Sequence, residues 1–355
     1  MVAYSTLIPI FVVTGFLGSG KTTLLNHMLR HPSLKDAAVL INEFGAVGLD
    51  HFLVKPVDEN TVLLASGCLC CTIRDDLKSA ILELNGKRER GEVPRYRRMI
   101  VETTGLADPT PILFTLMSDP VLRHHYRLGG VITTVDAVNG MRQLDRHVES
   151  VRQATVADRV VITKSDLAEP AELARLEARL KRINPTADTM FGRFGKIDVR
   201  RVLRADVYDP SKKVAEVKHW LDLEALSAHG AAHDHDHAPG KHAKRDVNRH
   251  DAHIRAHVVT IDQPLDWTAF GIWLTMLLHR HGQQVLRVKG ILNVKGVDAP
   301  VIVNGVQHIV HPPIHLAAWP EADRRSHIVF IVDDMDGALI ERSLAAFNRV
   351  GAAAA

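Results

Sequence analysis

All three cysteines of the chain fall in one window, Cys68-Leu69-Cys70-Cys71. Adjacent cysteines close a disulfide only with strain, and the sequence offers no fourth thiol. Three thiolates at this spacing bind a soft or borderline ion, with Zn²⁺ the default and Co²⁺ or Ni²⁺ as relatives. Arg74 and the start of a helix just after the cluster would lower the thiol pKa values and favour metallation. A closed four-thiolate site is excluded within one chain. The missing ligand is a His, a carboxylate, water or a partner's group, and an incomplete set suits an ion that is later released. The plainer alternative is three small buried side chains.

A second constellation handles phosphate. Gly15-Phe16-Leu17-Gly18-Ser19-Gly20-Lys21-Thr22 fits G-x-x-x-x-G-K-[ST] between an apolar run and a helical pattern. Glycines at 15, 18 and 20 let backbone wrap an anion, and N–H groups at the helix start face it. Lys21 is expected on the β- and γ-phosphates, and the Thr22 hydroxyl on Mg²⁺. Further on, Arg98-Met99-Ile100-Val101-Glu102-Thr103-Thr104-Gly105 delivers an acid from a strand, with a glycine three residues later. Glu102 would act on the metal directly or through water, and the Gly105 N–H would sense the γ-phosphate. Thr163-Lys164-Ser165-Asp166 resembles the N-K-x-D guanine motif, with Thr in place of Asn. Asp166 can accept from guanine N1–H and the exocyclic amine, a pattern adenine lacks. Lys164 would lay its alkyl stem along the base. The alternative is an ordinary strand-end cap.

Two weaker candidates complete the set. Ile41-Asn42-Glu43-Phe44-Gly45 sits where a switch segment would sit, so Glu43 is a candidate Mg²⁺ or Zn²⁺ ligand or a water-positioning group; an exposed acid in a turn is the other reading. His233, His235 and His237 alternate with aspartates, a pattern that captures transition metals weakly and exchanges them quickly, or a solvated linker of biased composition. His308, His311 and His315 form a looser secondary candidate.

These residues need an α/β scaffold. Ile8 to Val13, Ala37 to Asn42, Thr61 to Ala65, Met99 to Glu102, Val131 to Asp136 and Arg159 to Thr163 are short apolar runs. Helical patterns at 21–30, 74–84, 109–117, 145–154 and 171–183 alternate with them. Runs apolar on both faces, alternating with helices, predict a mainly parallel sheet covered on both sides. Residues 228–253 have almost no large apolar side chains and read as a His-rich flexible linker. Residues 254–350 then read as a smaller α+β domain, with strands at 254–261, 284–294, 300–310 and 327–332 and helices at 266–281 and 336–349. The expected organisation is therefore a nucleotide domain over 1–227, the linker, and the second domain.

The 355 residues are 46% hydrophobic and 24% charged, which excludes wholesale disorder and fibrous folds. Lys and Arg total 44 against 41 Asp and Glu, a near balance with no basic field for nucleic acid. No apolar run reaches the roughly 18 residues that span a bilayer. With the cysteine usage, this predicts a soluble protein of a reducing compartment, the cytoplasm, with no membrane or nucleic-acid partner.

The series G-F-L-G-S-G-K-T-T, I-N-E-F-G, G-C-L-C-C, E-T-T-G-L-A-D-P and T-K-S-D resembles the CobW-type metallochaperone GTPases, part of the SIMIBI class of P-loop GTPases. Arg287-Val288-Lys289-Gly290-Ile291 and Ser326-His327-Ile328-Val329-Phe330 resemble motifs of the family's C-terminal domain more loosely. The resemblance implies a P-loop G domain that hydrolyses GTP to GDP. It carries Lys21 and Thr22 to phosphate and Mg²⁺, Asp166 to guanine, and Cys68, Cys70 and Cys71 to Zn²⁺ or a related ion; Gly15, Gly18, Ser19, Gly20, Thr23, Gly105, Thr163 and Lys164 complete the expected nucleotide set. It implies delivery of the ion to a client metalloprotein under nucleotide control, and it admits a homodimer. A metal store, a nickel-insertion GTPase and an ATP-dependent small-molecule kinase are the rival readings.

Overall fold

The computed structural model describes residues 6–41, 62–65, 73–193, 196–203, 253–320 and 322–353. The chain divides into two compact units, one of residues 1–143, 149–180 and 187–209, the other of residues 144–148, 181–186 and 210–355.

Strands and helices alternate through the first two hundred residues. The order is β1 (Ile8–Gly15), α1 (Lys21–Leu29), β2 (Ala37–Ile41), β3 (Val62–Ala65), α2 (Ile73–Glu89), β4 (Arg98–Glu102), α3 (Thr110–Ser118), α4 (Pro120–His125), β5 (Tyr126–Asp136), α5 (Gly140–Arg146), α6 (Val148–Val156), β6 (Arg159–Thr163), α7 (Pro170–Ile183), β7 (Asp188–Phe191) and α8 (Val199–Val202). The strands form one seven-stranded sheet in the order β3-β2-β4-β1-β5-β6-β7. Every neighbouring pair is parallel. β2 and β6 are buried at every position, as runs apolar on both faces require in a sheet covered on both sides. On one face Phe11, Val13, Val39, Ile100, Ile132 and Val161 pack with Leu25 and Met28 of α1.

Strand order reverses at β1, which has β4 on one side and β5 on the other. Ligands of open parallel sheets bind beyond the carboxyl ends of the strands at this reversal. Register brings those ends to one edge: Val13 pairs with Glu102, Gly15 with Thr134, and Asp136 with Thr163. Ile41 pairs with both Glu102 and Ala65, which extends the row to β2 and β3.

The expected elements are present with some displaced ends. β5 begins at Tyr126 rather than Val131, because the Gly129-Gly130 pair that reads as a break lies inside the strand. Gly129 is the extra residue of a bulge: Ile10 pairs with Leu128 and Phe11 with Gly130. A Cβ on Gly129 would lie 3.0 Å from the Phe11 ring. The helix expected over 145–154 is two helices, α5 and α6, and the first starts at Gly140. β7 escapes the sequence pattern because it is a four-residue edge strand with one buried side chain, Met190.

In the second unit, β8 (Ile254–Ile261), α9 (Trp267–His281), β9 (Val285–Leu292), β10 (Val301–Val306), β11 (Ile309–Val310), β12 (Ile314–His315), β13 (Ser326–Asp333) and α10 (Gly337–Ala353) follow in order. The antiparallel sheet runs β11-β10-β9-β13-β8, with β12 on β10. The strand expected over 300–310 turns back at Gln307, which takes a left-handed φ of 50°. Asp266 caps α9 by accepting from the Ala269 N–H at 2.8 Å, a bond that contributes about 1 kcal/mol. Phe270, Trp273, Leu274 and Leu277 of α9 pack onto Val288, Leu292, Ile328 and Phe330 of the sheet. Trp273 meets Phe330 edge-on with ring centres 6.0 Å apart, and its Nε1 donates to Ser343 Oγ at 3.0 Å.

Candidate functional site: a nucleotide cleft at the sheet edge

The loop between β1 and α1 rests against β5. A Cβ on Gly15 would lie 2.2 Å from Thr134 Oγ1 and 2.4 Å from the Thr134 carbonyl, so only glycine lets the loop leave the sheet here. Ser19 Oγ lies 2.6 Å from the same Thr134 hydroxyl, both buried.

Side chains engage five consecutive carbonyls of the loop. Lys21 Nζ donates to Gly15 O at 2.9 Å and to Phe16 O at 3.2 Å. Gln143 Nε2 donates to Leu17 O at 3.4 Å, Lys164 Nζ to Gly18 O at 2.9 Å, and Thr163 Oγ1 to Ser19 O at 2.6 Å. Fixing a carbonyl fixes its peptide plane, and with it the direction of the next N–H. The loop's amides are therefore oriented before any anion arrives, which is how preorganised donors gain strength.

Thr22 Oγ1 donates to Glu102 Oε1 at 3.2 Å. Glu102 is buried at the end of β4, and Thr22 lies in the first turn of α1. A hydroxyl and a carboxylate at this separation form an oxygen donor set of the hard kind that Mg²⁺ takes, so the residues fit the ion that a nucleotide carries. The next segment is tied to the loop. Thr103 N–H donates to Val13 O at 2.9 Å. A Cβ on Gly105 would lie 2.7 Å from the Leu17 backbone nitrogen, so the two segments touch because that atom is missing. Gln153 of α6, fully buried, donates to the carbonyls of Gly105 at 3.2 Å and Ala107 at 3.0 Å.

Beyond the loop, a cavity of about 220 Å³ is lined by Gly20, Thr23, Thr163, Lys164 and Asp166, with Leu24, Leu167, Gly192 and Ile197 as its apolar walls. Lys164 holds a left-handed φ of 56° at the end of β6. Its ammonium also meets Asp136 Oδ2 at 2.7 Å. Burial of Asp136 raises its pKa, but the bonds from Lys164, Asn139 and the backbone of Val138 outweigh it and hold the carboxyl below the usual aspartate value. His27 Nε2 of α1 lies 3.1 Å from the Ile197 carbonyl and braces that wall.

Lys21, Thr22, Glu102 and Gly105 thus converge with Gly15, Gly18, Ser19 and Gly20, and Thr23, Thr163, Lys164 and Asp166 line the adjoining cavity. Gln143, Gln153, Asp136, Gly192 and Ile197 were not legible as site residues. Asp136 alone carries a signal, an acid at a strand end followed by a turn with Asn139. Glu43, Cys68, Cys70, Cys71, His233, His235 and His237 lie outside the described residues. Among the described residues no three His, Cys, Asp or Glu side chains gather as a metal site, so His308, His311 and His315 form none.

Comparison with known proteins matches this geometry. Residues 9–191 match the model of the CobW/HypB/UreG nucleotide-binding domain, and residues 254–348 that of the cobalamin synthesis protein CobW C-terminal domain. The zinc chaperone YjiA of Escherichia coli is 32% identical over 328 residues, covering 91% of this chain and 93% of that protein. A zinc chaperone CobW from a Sinorhizobium species is 27% identical and covers 96% of this chain and 97% of its own length. The crystal structure of Zn(II)-bound E. coli YjiA GTPase superposes with a TM-score of 0.70 at 27% identity, over 96% of this chain and 99% of that one. A phosphate loop braced from β5 and β6, an acid beside its threonine and two matching domain models lead to one assignment: the chain belongs to the CobW-type family of P-loop GTPases.

Proposed function

We propose that this protein is a metallochaperone that hydrolyses GTP, carries Zn²⁺ on Cys68, Cys70 and Cys71, and passes the ion to a client metalloprotein under nucleotide control. The observation that carries the reading is the convergence of Lys21, the Thr22–Glu102 pair and Gly105 on one loop, with Asp166 in the cavity beside it. The chain leaves β3 at Ala65, in the same row as Glu102 and three residues before Cys68. That spacing along the chain supports a link between the thiolate set and the nucleotide edge. Relatives of comparable length are zinc chaperones, which favours zinc as the cargo over nickel or cobalt.

In this reading, Lys21 exchanges the Gly15 and Phe16 carbonyls for the β- and γ-phosphates. Thr22 and Glu102 hold Mg²⁺, which neutralises developing phosphate charge when bound. The Gly105 N–H meets the γ-phosphate while Gln153 holds the carbonyls of Gly105 and Ala107. Asp166 accepts from the guanine edge, and the Lys164 stem lies along the base. Glu43 orients water or completes the metal set. His233, His235 and His237 gather metal within a linker over 228–253, between a nucleotide domain and a C-terminal domain. Among the described residues no helix is long and apolar enough to cross a membrane, in keeping with a cytoplasmic chaperone.

Linkage supplies the test. If nucleotide state controls release, metal must change nucleotide affinity by the factor by which nucleotide changes metal affinity. Zn²⁺ affinity of the reduced protein is measured with a GTP analogue, with GDP and with neither. A difference of about tenfold or more is expected, at the size usual for coupled sites. Equal affinities in all three states overturn the coupling. GTP against ATP competition separates this reading from a small-molecule kinase.

A further inference from the structure

We infer that Asp136 is a positioning residue for guanine-nucleotide selection, holding the Lys164 ammonium between the phosphate loop and the base cavity. The inference rests on the guanine reading above and adds to it a residue that touches no nucleotide.

The geometry is one of division of labour within a carboxylate. Asp136 is almost fully buried, and its side chain is 2% exposed where that of Lys164 is 39% exposed. Oδ1 accepts from the backbone N–H groups of Val138 at 2.8 Å and Asn139 at 3.2 Å, and so closes the turn after β5. Oδ2 is left to face the site. It accepts from Lys164 Nζ at 2.7 Å and from Asn139 Nδ2 at 3.1 Å. The same ammonium donates to Gly18 O. Lys164 is thereby pinned at both ends, by its left-handed backbone and by its charge, and its stem forms a wall of the cavity that contains Asp166.

A lysine of this exposure ordinarily samples many rotamers, and an exposed ion pair does little to stop it. Here one partner is buried and otherwise satisfied, so the pair has a single geometry. Without the Asp136 charge, the Lys164 stem is free to leave the wall, and the Gly18 peptide loses its anchor. Among the described residues, Asp136 meets the loop and the cavity wall through Lys164. That makes the effect of its removal conditional on the lysine.

The test is a double-mutant cycle on the full chain, read by displacement of mant-labelled GDP with unlabelled GDP or ADP. Asp136→Asn keeps an oxygen for the turn and removes the charge. It is expected to weaken GDP binding about tenfold, the size of one charged hydrogen bond, and to lower GDP-over-ADP selectivity. In a Lys164→Met background, the same change should alter GDP affinity less than about twofold. Lys164→Arg keeps a cation within reach of Asp136 and should retain selectivity that Lys164→Met loses, a comparison that stands even if Asp136→Asn does not fold. Additive effects in the cycle, or wild-type selectivity in Lys164→Met, overturn the inference. A wild-type chain that binds ADP as tightly as GDP overturns the guanine reading as well, which separates the two failures.

Discussion

The parallel sheet of the first unit gathers polar side chains at one edge, and the antiparallel sheet of the second buries several within its strands. In the first, Glu102, Asp136 and Thr163 stand at the last positions of three strands, at one edge. In the second, Arg287, Lys289 and Asn304 lie within strands, buried, and Lys289 pairs in register with Asn304. Polar side chains at strand ends face the sheet's edge, so each neighbouring strand lends one side chain to a common cleft. Arg287, Lys289 and Asn304 lie instead inside the packed sheet of the second unit. A parallel sheet therefore assembles a site from distant segments at little cost to its interior, whereas the antiparallel unit concentrates its energetics in the contact between two helices and one face.

The largest expected effect probes that separation. Trp273→Ala empties the centre of the second core and should destabilise that unit by about 3–5 kcal/mol, followed as its own transition in thermal melts. GDP affinity should stay within about twofold; a collapse of both together would show one cooperative body rather than two. Lys21→Ala acts on the other side of the comparison. GTP turnover should fall roughly 10²–10³-fold, as for loss of one preorganised donor, while the melting of the second unit is unchanged.

Gly105→Ala forces a methyl into the Leu17 backbone. Overpacking of this kind costs about 1–3 kcal/mol, and it should appear in GTP-analogue affinity and turnover more than in GDP affinity. A uniform loss for both nucleotides would mean the contact serves the loop alone. His257 of β8 gives a smaller, pH-dependent signature. Burial pushes its pKa below the ordinary histidine value, with the charge of Arg255 adding to it, against a backbone bond at Met335. The neutral ring is the folded form, so its stabilisation is complete above about pH 6.5 and is lost as pH falls through the lowered value. Melting of the second unit should drop on acidification from pH 7 to 5, and His257→Gln should flatten that drop. The smallest effect is Asp266→Ala, about 1 kcal/mol from the α9 cap, visible in chemical denaturation.

The sequence made the local chemistry legible and the long-range chemistry illegible. Lys21 and Thr22 are set by eight consecutive positions, and Asp166 by a tetrapeptide at a strand end, so spacing alone locates them. Gln143 reaches the Leu17 carbonyl across 126 residues, and Gln153 reaches Gly105 across 48. Such partners follow from topology, and a glutamine on an amphipathic helix carries no mark of its target. Asp136 is intermediate, since the turn it caps is local and the lysine it holds is not. In the fold, the buried runs of β1, β2 and β6 announce themselves by hydrophobicity on both faces. β7 and the Gly129 bulge depend on neighbours that the sequence pattern does not show.

The Ser19 carbonyl is bonded by Thr163, which lies 144 residues later in the chain. The phosphate loop is thus synthesised 144 residues ahead of the side chain that braces it. At about 5–20 residues per second, about 7–30 seconds separate the two ends of that bond. A nascent chain in that interval carries the whole G-x-x-x-x-G-K-T motif without the bond that holds the Ser19 carbonyl. Nucleotide binding is then expected to report that β6 has docked, with the ligand a source of stability only once that strand is in place.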